Sequence, residues 1–343
     1  MRRALLTFAI SVALLAAFVV LVGPATLAFQ LAETNLGVFA LGLVAMTGAL
    51  VAWSEGLRPL LTASDVSVSR WRLLVAYTAA MLGRQVLPLG AIGGPAVTAY
   101  TVDREVDLGY DESLAVVAVA EFISTVASLT IAAIGALLLL GDVVAVPQLR
   151  IVVYASGVFT VVLVGLGVAF LTERAVVARL VATGTRLLHA IVARASTQLA
   201  APIEVSRAAA ALDRFYARVD ALRGEGRTLL TVFGLHAGGW VLASLPLYTS
   251  ALALGVTIPL PLVVLLVATS GLVDILPLPG GLGGVEIVLA TLIATISSVT
   301  LPLAAAVVLL YRICSYWYLV LLGAVASAYT AAGIVTHRPP EEL

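Results

Sequence analysis

The chain contains no lysine, one cysteine and few charged residues of either sign. Its 19 basic residues are all arginine, 19 acidic residues balance them, and together they make up 11% of the 343 residues. The single cysteine, Cys314, excludes an internal disulfide. With 62% hydrophobic residues, the chain has too few polar side chains to cover the surface of a soluble fold of this length.

The sequence also lacks the common signatures of metal and nucleotide sites. No cluster of cysteine and histidine has the spacing of metal ligands, and no Walker or Rossmann glycine pattern follows a strand. The glycine-rich segments follow apolar runs instead. We therefore expect neither a metal nor a cofactor, and no nucleic-acid partner.

Apolar runs long enough to span a membrane recur along the whole chain. A helix needs about 20 apolar residues to cross roughly 30 Å of hydrocarbon, whereas β-barrel strands are short and alternate between apolar and polar residues. We predict an all-α, polytopic membrane protein. The predicted spans lie near residues 4–22, 36–53, 71–87, 113–140, 149–171, 228–252, 259–276 and 302–333. The first run exceeds a typical signal-peptide core, so we expect it to be retained as a span.

The arginines predict the orientation of these spans. Nine of the 19 arginines lie between Arg174 and Arg227, and the positive-inside bias places this stretch in the cytoplasm. Counting spans from there puts a loop at residues 103–112 inside, Arg150 outside, and Arg84 and Arg312 within the membrane. We expect a multi-pass protein of the plasma membrane with both termini in the cytoplasm.

Two segments rich in proline and glycine interrupt the apolar runs, PLGAIGGP at residues 88–95 and PLPGGLGG at residues 277–284. The apolar stretch after each carries a charge, Glu121 at 33 residues from Pro88 and Arg312 at 35 residues from Pro277. The arginine count is satisfied only if the chain turns back at each segment, from opposite sides of the membrane. This predicts inverted repeats with two re-entrant or broken helix hairpins, as in many secondary transporters.

The predicted repeats divide a single integral membrane domain, residues 1–343. Repeat one covers about residues 36–171 and repeat two about residues 228–333, with cytoplasmic amphipathic helices at about residues 173–226 between them. In the amphipathic part, apolar residues recur every three or four positions from Ala208 to Leu222 and form a similar face from Val177 to Ile191, with a join near Pro202. Two interpretations remain open: helices at the leaflet surface, attracted to anionic lipid, or a solvated linker hairpin.

Substrate-binding residues are predicted at the two breaks and at the charges near them. A helix that begins after a glycine-rich break directs unpaired N–H groups and the positive end of its dipole at the break, which favours an anion such as a lipid phosphate. A charge at the centre of a membrane helix costs roughly 2.5–3.5 kcal/mol, so it needs a partner or a watery cavity. The candidates are Arg84, Gly93, Gly94, Glu121, Gly280, Gly281, Gly283, Gly284, Glu286 and Arg312.

Structural roles for the same residues remain open. Glycines also allow close helix packing in membranes, and two acids and two bases can neutralise each other as structural ion pairs. Three further features are weaker candidates. Asp274 is predicted near the mouth of the cavity, His236 is expected to be a hydrogen-bonded packing residue, and the aromatic cluster of residues 316–318 either walls the cavity or faces lipid.

The segment PLPGGLGGVE at residues 277–286, followed by Tyr311-Arg312 and Tyr316-Trp317, resembles the transmembrane half of lysylphosphatidylglycerol synthases and related stand-alone flippase-like membrane proteins. The resemblance extends over about residues 4–333. The first break is less similar: Pro95 stands where the family has an acidic residue, and Phe122 stands where it has the arginine of a Glu-Arg pair.

The resemblance implies a lipid flippase that moves an anionic or aminoacylated phospholipid between leaflets. We expect a transporter without a catalytic domain. Three alternatives remain open: a flippase for a polyisoprenyl-phosphate-linked sugar, a membrane-embedded enzyme acting on a lipid phosphate, and an accessory subunit of lipid modification. The expected partner is a membrane lipid as substrate, and a separate lipid-modifying enzyme and homo-oligomerisation remain open as further interactions.

Overall fold

The computed structural model describes residues 2–63, 66–87, 90–106, 108–139, 147–193, 205–222, 225–270 and 278–336. Within these ranges the chain is helical and contains no strand, which confirms the all-α prediction. The helices are α1 (Arg2–Val22), α2 (Pro24–Ala32), α3 (Leu36–Thr62), α4 (Arg70–Val86), α5 (Gly90–Val106), α6 (Tyr110–Leu138), α7 (Pro147–Thr172), α8 (Arg174–Ala193), α9 (Val205–Leu222), α10 (Gly226–Ala253), α11 (Leu260–Ser270), α12 (Gly284–Ile296), α13 (Leu301–Arg312) and α14 (Tyr318–Thr336). A 3₁₀ turn at Pro279–Gly281 precedes α12, and a π-helical turn at Ile313–Trp317 joins α13 to α14.

Several of these helices are long and apolar enough to cross a membrane, so the chain is a multi-pass membrane protein. Among the described residues, five stretches qualify: Leu36–Thr62, Tyr110–Leu138, Gly226–Ala253, Pro279–Ile296 and Leu301–Ala332. The pair α1 and α2 makes a sixth if one span bends by 84°. The bend was not predicted, and its cause is local. Gly23 has a φ of 100° and Pro24 starts α2, because glycine tolerates this backbone and proline suits the first helical position.

Helix α3 is longer than predicted because hydropathy and helical periodicity end at different residues. The apolar run stops at Trp53, but α3 continues to Thr62. Its last turns carry Leu57, Leu60 and Leu61, which are 2%, 0% and 0% exposed. Their spacing of three and four places them on one side of the helix, against the core.

The first break is shorter than predicted. Residues 88–89 lie outside the described residues, and α5 already begins at Gly90 and continues through Pro95. Gly90 lets α4 and α5 approach closely, because a Cβ at this position would collide with the carbonyl O of Arg84. The loop predicted at residues 103–112 is also shorter than expected. Helix α5 continues to Val106, and α6 begins at Tyr110.

Helices α8 and α9 cover the two stretches in which periodicity predicts amphipathic helices, and the join near Pro202 lies outside the described residues. The two helices pack against each other, and α9 also packs against α6. Arg174 of α8 donates to Asp220 of α9 with Nη2 and Oδ1 at 2.6 Å. Arg214 of α9 pairs with Asp111 in the first turn of α6.

The two halves of the chain pack reciprocally. Helices α3 and α10, each of which lies one helix before a break, pack against each other, α4 packs against α14, and α11 packs against α6. Glycines make the last two contacts close. A Cβ on Gly323 of α14 would lie 3.0 Å from the carbonyl O of Thr78 in α4, and one on Gly135 of α6 would lie 2.8 Å from that of Pro261 in α11. The helix before each break thus contacts a helix of the other half: α4 contacts α14, and α11 contacts α6. The inverted-repeat relation itself stays a prediction.

We expect Gly323→Val and Gly135→Val each to lower the free energy of unfolding by about 1–3 kcal/mol, the usual cost of overpacking a tight contact. The matched control is Gly234→Val in α10, because no atom lies within 4 Å of a Cβ at Gly234. Thermal unfolding of the purified proteins in detergent measures the difference. Equal effects at all three glycines would mean that helix propensity, and not close packing, explains the loss.

Candidate functional site

A cavity of about 510 Å³ is lined from both breaks. Gly90 of the first break and Gly280 and Gly281 of the second contribute to its wall. Helices from both halves complete the lining, among them α3, α4, α6, α10 and α13. The structure thus brings together two segments that lie almost 190 residues apart in the sequence.

An Arg–Glu pair in the first half faces this cavity. Arg84 lies in the last turn of α4 and Glu121 lies within α6. The guanidinium meets the carboxylate with both terminal nitrogens: Nη1 pairs with Oε1, and Nη2 donates to Oε2 at 3.2 Å. The two side chains keep 22% and 26% of their surface exposed. Such a two-pronged pair is charge-assisted, and its exposed edges are accessible from the cavity.

Gly94 stands behind this pair. A Cβ at Gly94 would lie 2.9 Å from Cγ of Arg84, so the glycine leaves room for the arginine stem between α4 and α5. Gly94 therefore supports the position of Arg84 and does not itself line the cavity.

The Arg–Glu pair of the second half is buried. Arg312 and Glu286 are 8% and 1% exposed in their side chains, with Nε donating to Oε1 at 2.8 Å. Nη2 of Arg312 donates to the carbonyl O of Gly280 at 2.6 Å, and Oε2 of Glu286 accepts from the N–H of Gly283 at 2.7 Å. The guanidinium carbon lies 4.9 Å from the centre of the Tyr316 ring. This pair therefore ties together the backbone of the second break.

The glycines of the second break are required by its backbone. Gly280, Gly281 and Gly283 have φ values of 53°, 66° and 84°, a region that side chains with a Cβ rarely adopt. Close neighbours add a second requirement. A Cβ on Gly280 would collide with the Tyr316 ring, and one on Gly283 would lie 2.6 Å from Cβ of Leu14 in α1.

The sequence left open whether the four charges bind substrate or neutralise one another, and the structure pairs Arg84 with Glu121 and Arg312 with Glu286. The pairs differ in burial, which suits them to different tasks. Breaking a buried pair leaves an uncompensated charge in a medium of low polarity. The more exposed pair can exchange one partner for an ion in the cavity at lower cost.

Replacing Arg312 by alanine should lower the free energy of unfolding by about 3–5 kcal/mol, because the Glu286 carboxylate would remain buried without its partner. The double variant Arg312→Met, Glu286→Met should recover part of this loss, since it removes both charges. Arg58→Ala is the control: Arg58 keeps 38% of its side chain exposed, and its partner Glu55 also has Arg70 at 3.6 Å, so the loss should be less than about 1 kcal/mol. An Arg312→Ala protein that unfolds at the wild-type temperature would contradict the structural role.

Aromatic residues form a further part of the cavity wall. Trp53 of α3 and Trp240 of α10 both line it, with ring centres 5.5 Å apart and an edge-to-face arrangement. Nε1 of Trp240 donates to Oγ of Ser124 at 3.1 Å. Nε1 of Trp53 is buried and has no hydrogen-bond partner among the described residues. Neither tryptophan was predicted as a site residue.

A polar stripe on α6 was also missed. Ser124, Thr125 and Ser128 follow Glu121 at intervals of three, four and seven residues, and all four line the cavity. This spacing places side chains on one face of a helix. The stripe can be found in the sequence when hydroxyl residues, and not only charged ones, are checked for helical spacing from Glu121.

The predicted substrate residues divide into two groups in the structure. Those that line the cavity are Arg84, Glu121, Gly280, Gly281 and Arg312. Those that do not line it are Gly93, Gly94, Gly283, Gly284 and Glu286. Gly93 is exposed on α5, with no atom within 4 Å of a Cβ built there. The role of both groups in substrate binding stays a prediction.

The structure describes two of the three weaker candidates, His236 and the aromatic cluster. Asp274 lies outside the described residues. His236 packs against Gly56 and is 3% exposed, but neither ring nitrogen has a hydrogen-bond partner in the part of the chain that the structure describes. In the aromatic cluster of residues 316–318, Tyr316 is buried over Arg312, whereas Trp317 is 46% exposed. Among the described residues, neither His236 nor the aromatic cluster lines the cavity.

Comparison with known proteins agrees with this architecture. Residues 5–323 match the family model described as the lysylphosphatidylglycerol synthase TM region. No curated protein matches the chain, and no solved structure does. The match covers most of the 343 residues and includes both breaks, both Arg–Glu pairs and the helices that enclose the cavity. The chain therefore belongs to the family of the lysylphosphatidylglycerol synthase transmembrane region.

Proposed function

We propose that the protein is a lipid transporter that moves a phospholipid with an anionic or aminoacylated headgroup between the two leaflets. One observation carries the proposal: an apolar helical protein contains a cavity that is lined from both breaks and that holds a partly exposed Arg–Glu pair. Ionisable residues at such positions in membrane proteins mark pathways for polar substrates. The reciprocal packing of the two halves supports a substrate site at a repeat interface.

In this mechanism the headgroup phosphate replaces Glu121 as the partner of Arg84. The guanidinium offers two parallel N–H donors to phosphate oxygens, as it does to the carboxylate in the present structure. Glu121 then faces the cavity, where it can accept from an amine of the headgroup. With an aminoacylated headgroup the phosphate pairs with Arg84 and the amine pairs with Glu121, so neither side chain is left as an isolated charge in the cavity.

The size and lining of the cavity fit a headgroup better than a whole lipid. About 510 Å³ lies within the range of roughly 300–1,000 Å³ that is typical of small-molecule sites. The hydroxyl groups of Ser124, Thr125 and Ser128 on α6 offer hydrogen bonds to the headgroup. The acyl chains would remain in the surrounding lipid.

Leaflet-resolved labelling in proteoliposomes tests the proposal. Vesicles that contain aminoacylated phosphatidylglycerol in one leaflet are exposed to an amine-reactive reagent that does not cross the membrane. We expect the labelled fraction to rise with time in vesicles that contain the protein. It should stay constant in protein-free vesicles. A constant fraction in all samples would overturn the transport proposal for this headgroup.

Mass spectrometry of the same vesicles separates transport from the enzymatic alternative. Transport leaves the lipid masses unchanged, whereas an enzyme acting on the lipid phosphate changes them. The same assay with a polyisoprenyl-phosphate-linked sugar tests the other cargo. A protein that moves no lipid and changes none would instead favour the role of an accessory subunit.

A further inference from the structure

The two amphipathic helices outside the cavity differ in what covers their apolar faces. On α9, Tyr216 is 4% exposed, and Phe215 and Val219 pack against a core cluster built mainly from α3, α4, α5 and α6. On α8, Val176, Leu180 and Leu187 are 46%, 66% and 62% exposed. The protein itself thus covers the apolar face of α9. On α8 it covers Val177, which is 7% exposed, and leaves Val176, Leu180 and Leu187 open.

The three large apolar side chains of α8 that are described as exposed form one narrow stripe. Leu180 and Leu187 follow Val176 by four and eleven residues, which places all three within about 40° of one another on a helix with 3.6 residues per turn. Arg179 and Arg186 follow each other at an interval of seven residues and flank this stripe on one side. The sequence of α8 contains three arginines and no acidic residue.

The start of α8 is fixed at the end of a long apolar helix. Glu173 alone separates α7, which ends at Thr172, from α8, which begins at Arg174. Helix α7 has 26 residues and exposes apolar side chains such as Val161, at 73%. Helix α7 coincides with the span predicted at residues 149–171, and exposed apolar surface of this kind marks membrane or protein contacts. We therefore place the first turn of α8 near the end of the hydrocarbon layer.

Contacts with α9 hold α8 at this level. The hydroxyl group of Tyr216 donates to the carbonyl O of Phe170 in α7 at 2.6 Å, and the rings of Phe170 and Phe215 are 5.5 Å apart. Arg174 of α8 is bound to Asp220 of α9. The two helices are therefore anchored to the end of α7 and cannot carry the stripe away from the membrane without breaking these contacts.

We propose that α8 docks on the leaflet that adjoins the end of α7 and binds its anionic phospholipids. Val176, Leu180 and Leu187 enter the boundary between headgroups and acyl chains, and Arg179 and Arg186 reach the phosphates. An amphipathic helix with arginines beside its apolar stripe has the composition that such a surface attracts. The proposal is independent of lipid transport, because it concerns residues outside the cavity.

Quenching of a single fluorescent label in the full-length protein tests the proposal. Cys314 is buried, so a cysteine introduced at an exposed position is labelled selectively. Leu180→Cys and Leu187→Cys report on the stripe. Ala178→Cys is the matched control, because Ala178 is exposed and lies two residues from Leu180, about 200° around the helix. Vesicles of phosphatidylcholine, with or without phosphatidylglycerol, carry spin-labelled lipids as quenchers.

We expect strong quenching at positions 180 and 187 and weak quenching at position 178, with a further increase at the first two positions when phosphatidylglycerol is present. Combining Leu180→Cys with Arg179→Gln and Arg186→Gln should remove that increase. Equal quenching at all three positions would overturn the docking geometry, and quenching that ignores phosphatidylglycerol would overturn the anionic preference. Disulfide formation between copies through position 180, without quenching, would show a second copy of the chain on this face and would also overturn the proposal.

Discussion

Replacing Arg84 by alanine should reduce headgroup translocation about 10- to 100-fold, the loss expected when a hydrogen-bonded charge contact of about 1.5–3 kcal/mol is removed. Arg84 lines the cavity and is 22% exposed in its side chain, so a bound phosphate can reach it. The protein should stay folded, because the Glu121 carboxylate left behind is itself 26% exposed to the cavity. The rate comes from leaflet-resolved labelling, and the folded state is checked by thermal unfolding.

Two further variants test whether Arg84 binds the phosphate as a ligand or only balances the charge of Glu121. Arg84→Lys should recover part of the rate, because an ammonium group supplies the charge but not the two parallel donors of the guanidinium. The exchange Arg84→Glu with Glu121→Arg keeps an ion pair but moves the arginine from α4 to α6, and it should give a folded protein with little transport. A fully active Arg84→Ala protein, or full activity in the exchanged pair, would exclude Arg84 as the phosphate ligand.

Arg84 and Arg312 show what the sequence could predict and where it stopped. Both arginines were predicted within the membrane from the distribution of the other arginines, and membrane energetics predicted that each needs a partner or a cavity. The choice of partner depends on tertiary contacts: Arg84 pairs with Glu121, 37 residues away, and Arg312 pairs with Glu286, 26 residues away. The difference in burial between the two pairs, which leaves Arg84 more exposed than Arg312, has no signature in the sequence.

The tryptophans of the cavity wall were beyond sequence analysis for a related reason. Trp53 and Trp240 meet because α3 and α10 pack in one register. Glycines set that register: Gly42 lies against Thr249, and Gly56 lies against His236. Small residues predict that a close helix contact exists, but not which helix provides the other side.

The two breaks were predicted by the same composition, yet they differ in structure. In the first, the glycines and Pro95 are part of helix α5. A helix can form there because these glycines do not adopt a left-handed backbone. In the second, three glycines have positive φ, and hydrogen bonds from Arg312 and to Glu286 hold the non-helical backbone. Proline and glycine content predicts an interruption but not its length, which here depends on those side-chain contacts.

Substitution of Gly281 by valine should abolish translocation and leave a protein that still inserts into the membrane. Gly281 has a φ of 66° and lines the cavity. A β-branched side chain is strained at this φ by about 1–3 kcal/mol, and it would also occupy space beside the predicted headgroup site. Relief of that strain would shift the backbone to which Arg312 and Glu286 are bound, so both the geometry and the volume of the site should change.

Valines in the first break provide a graded comparison, because its two glycines have different surroundings. Gly94→Val should slow translocation, since its Cβ would displace the Arg84 side chain, whose Cγ would be only 2.9 Å away. Gly93→Val should leave the rate near that of the wild type, because no atom lies within 4 Å of its Cβ. The rates come from headgroup labelling in proteoliposomes, alongside thermal unfolding of each variant. If all three valine variants transport at the wild-type rate, the breaks serve helix packing alone; if Gly93→Val is as inactive as Gly281→Val, the headgroup contacts the exposed side of α5 and not the cavity.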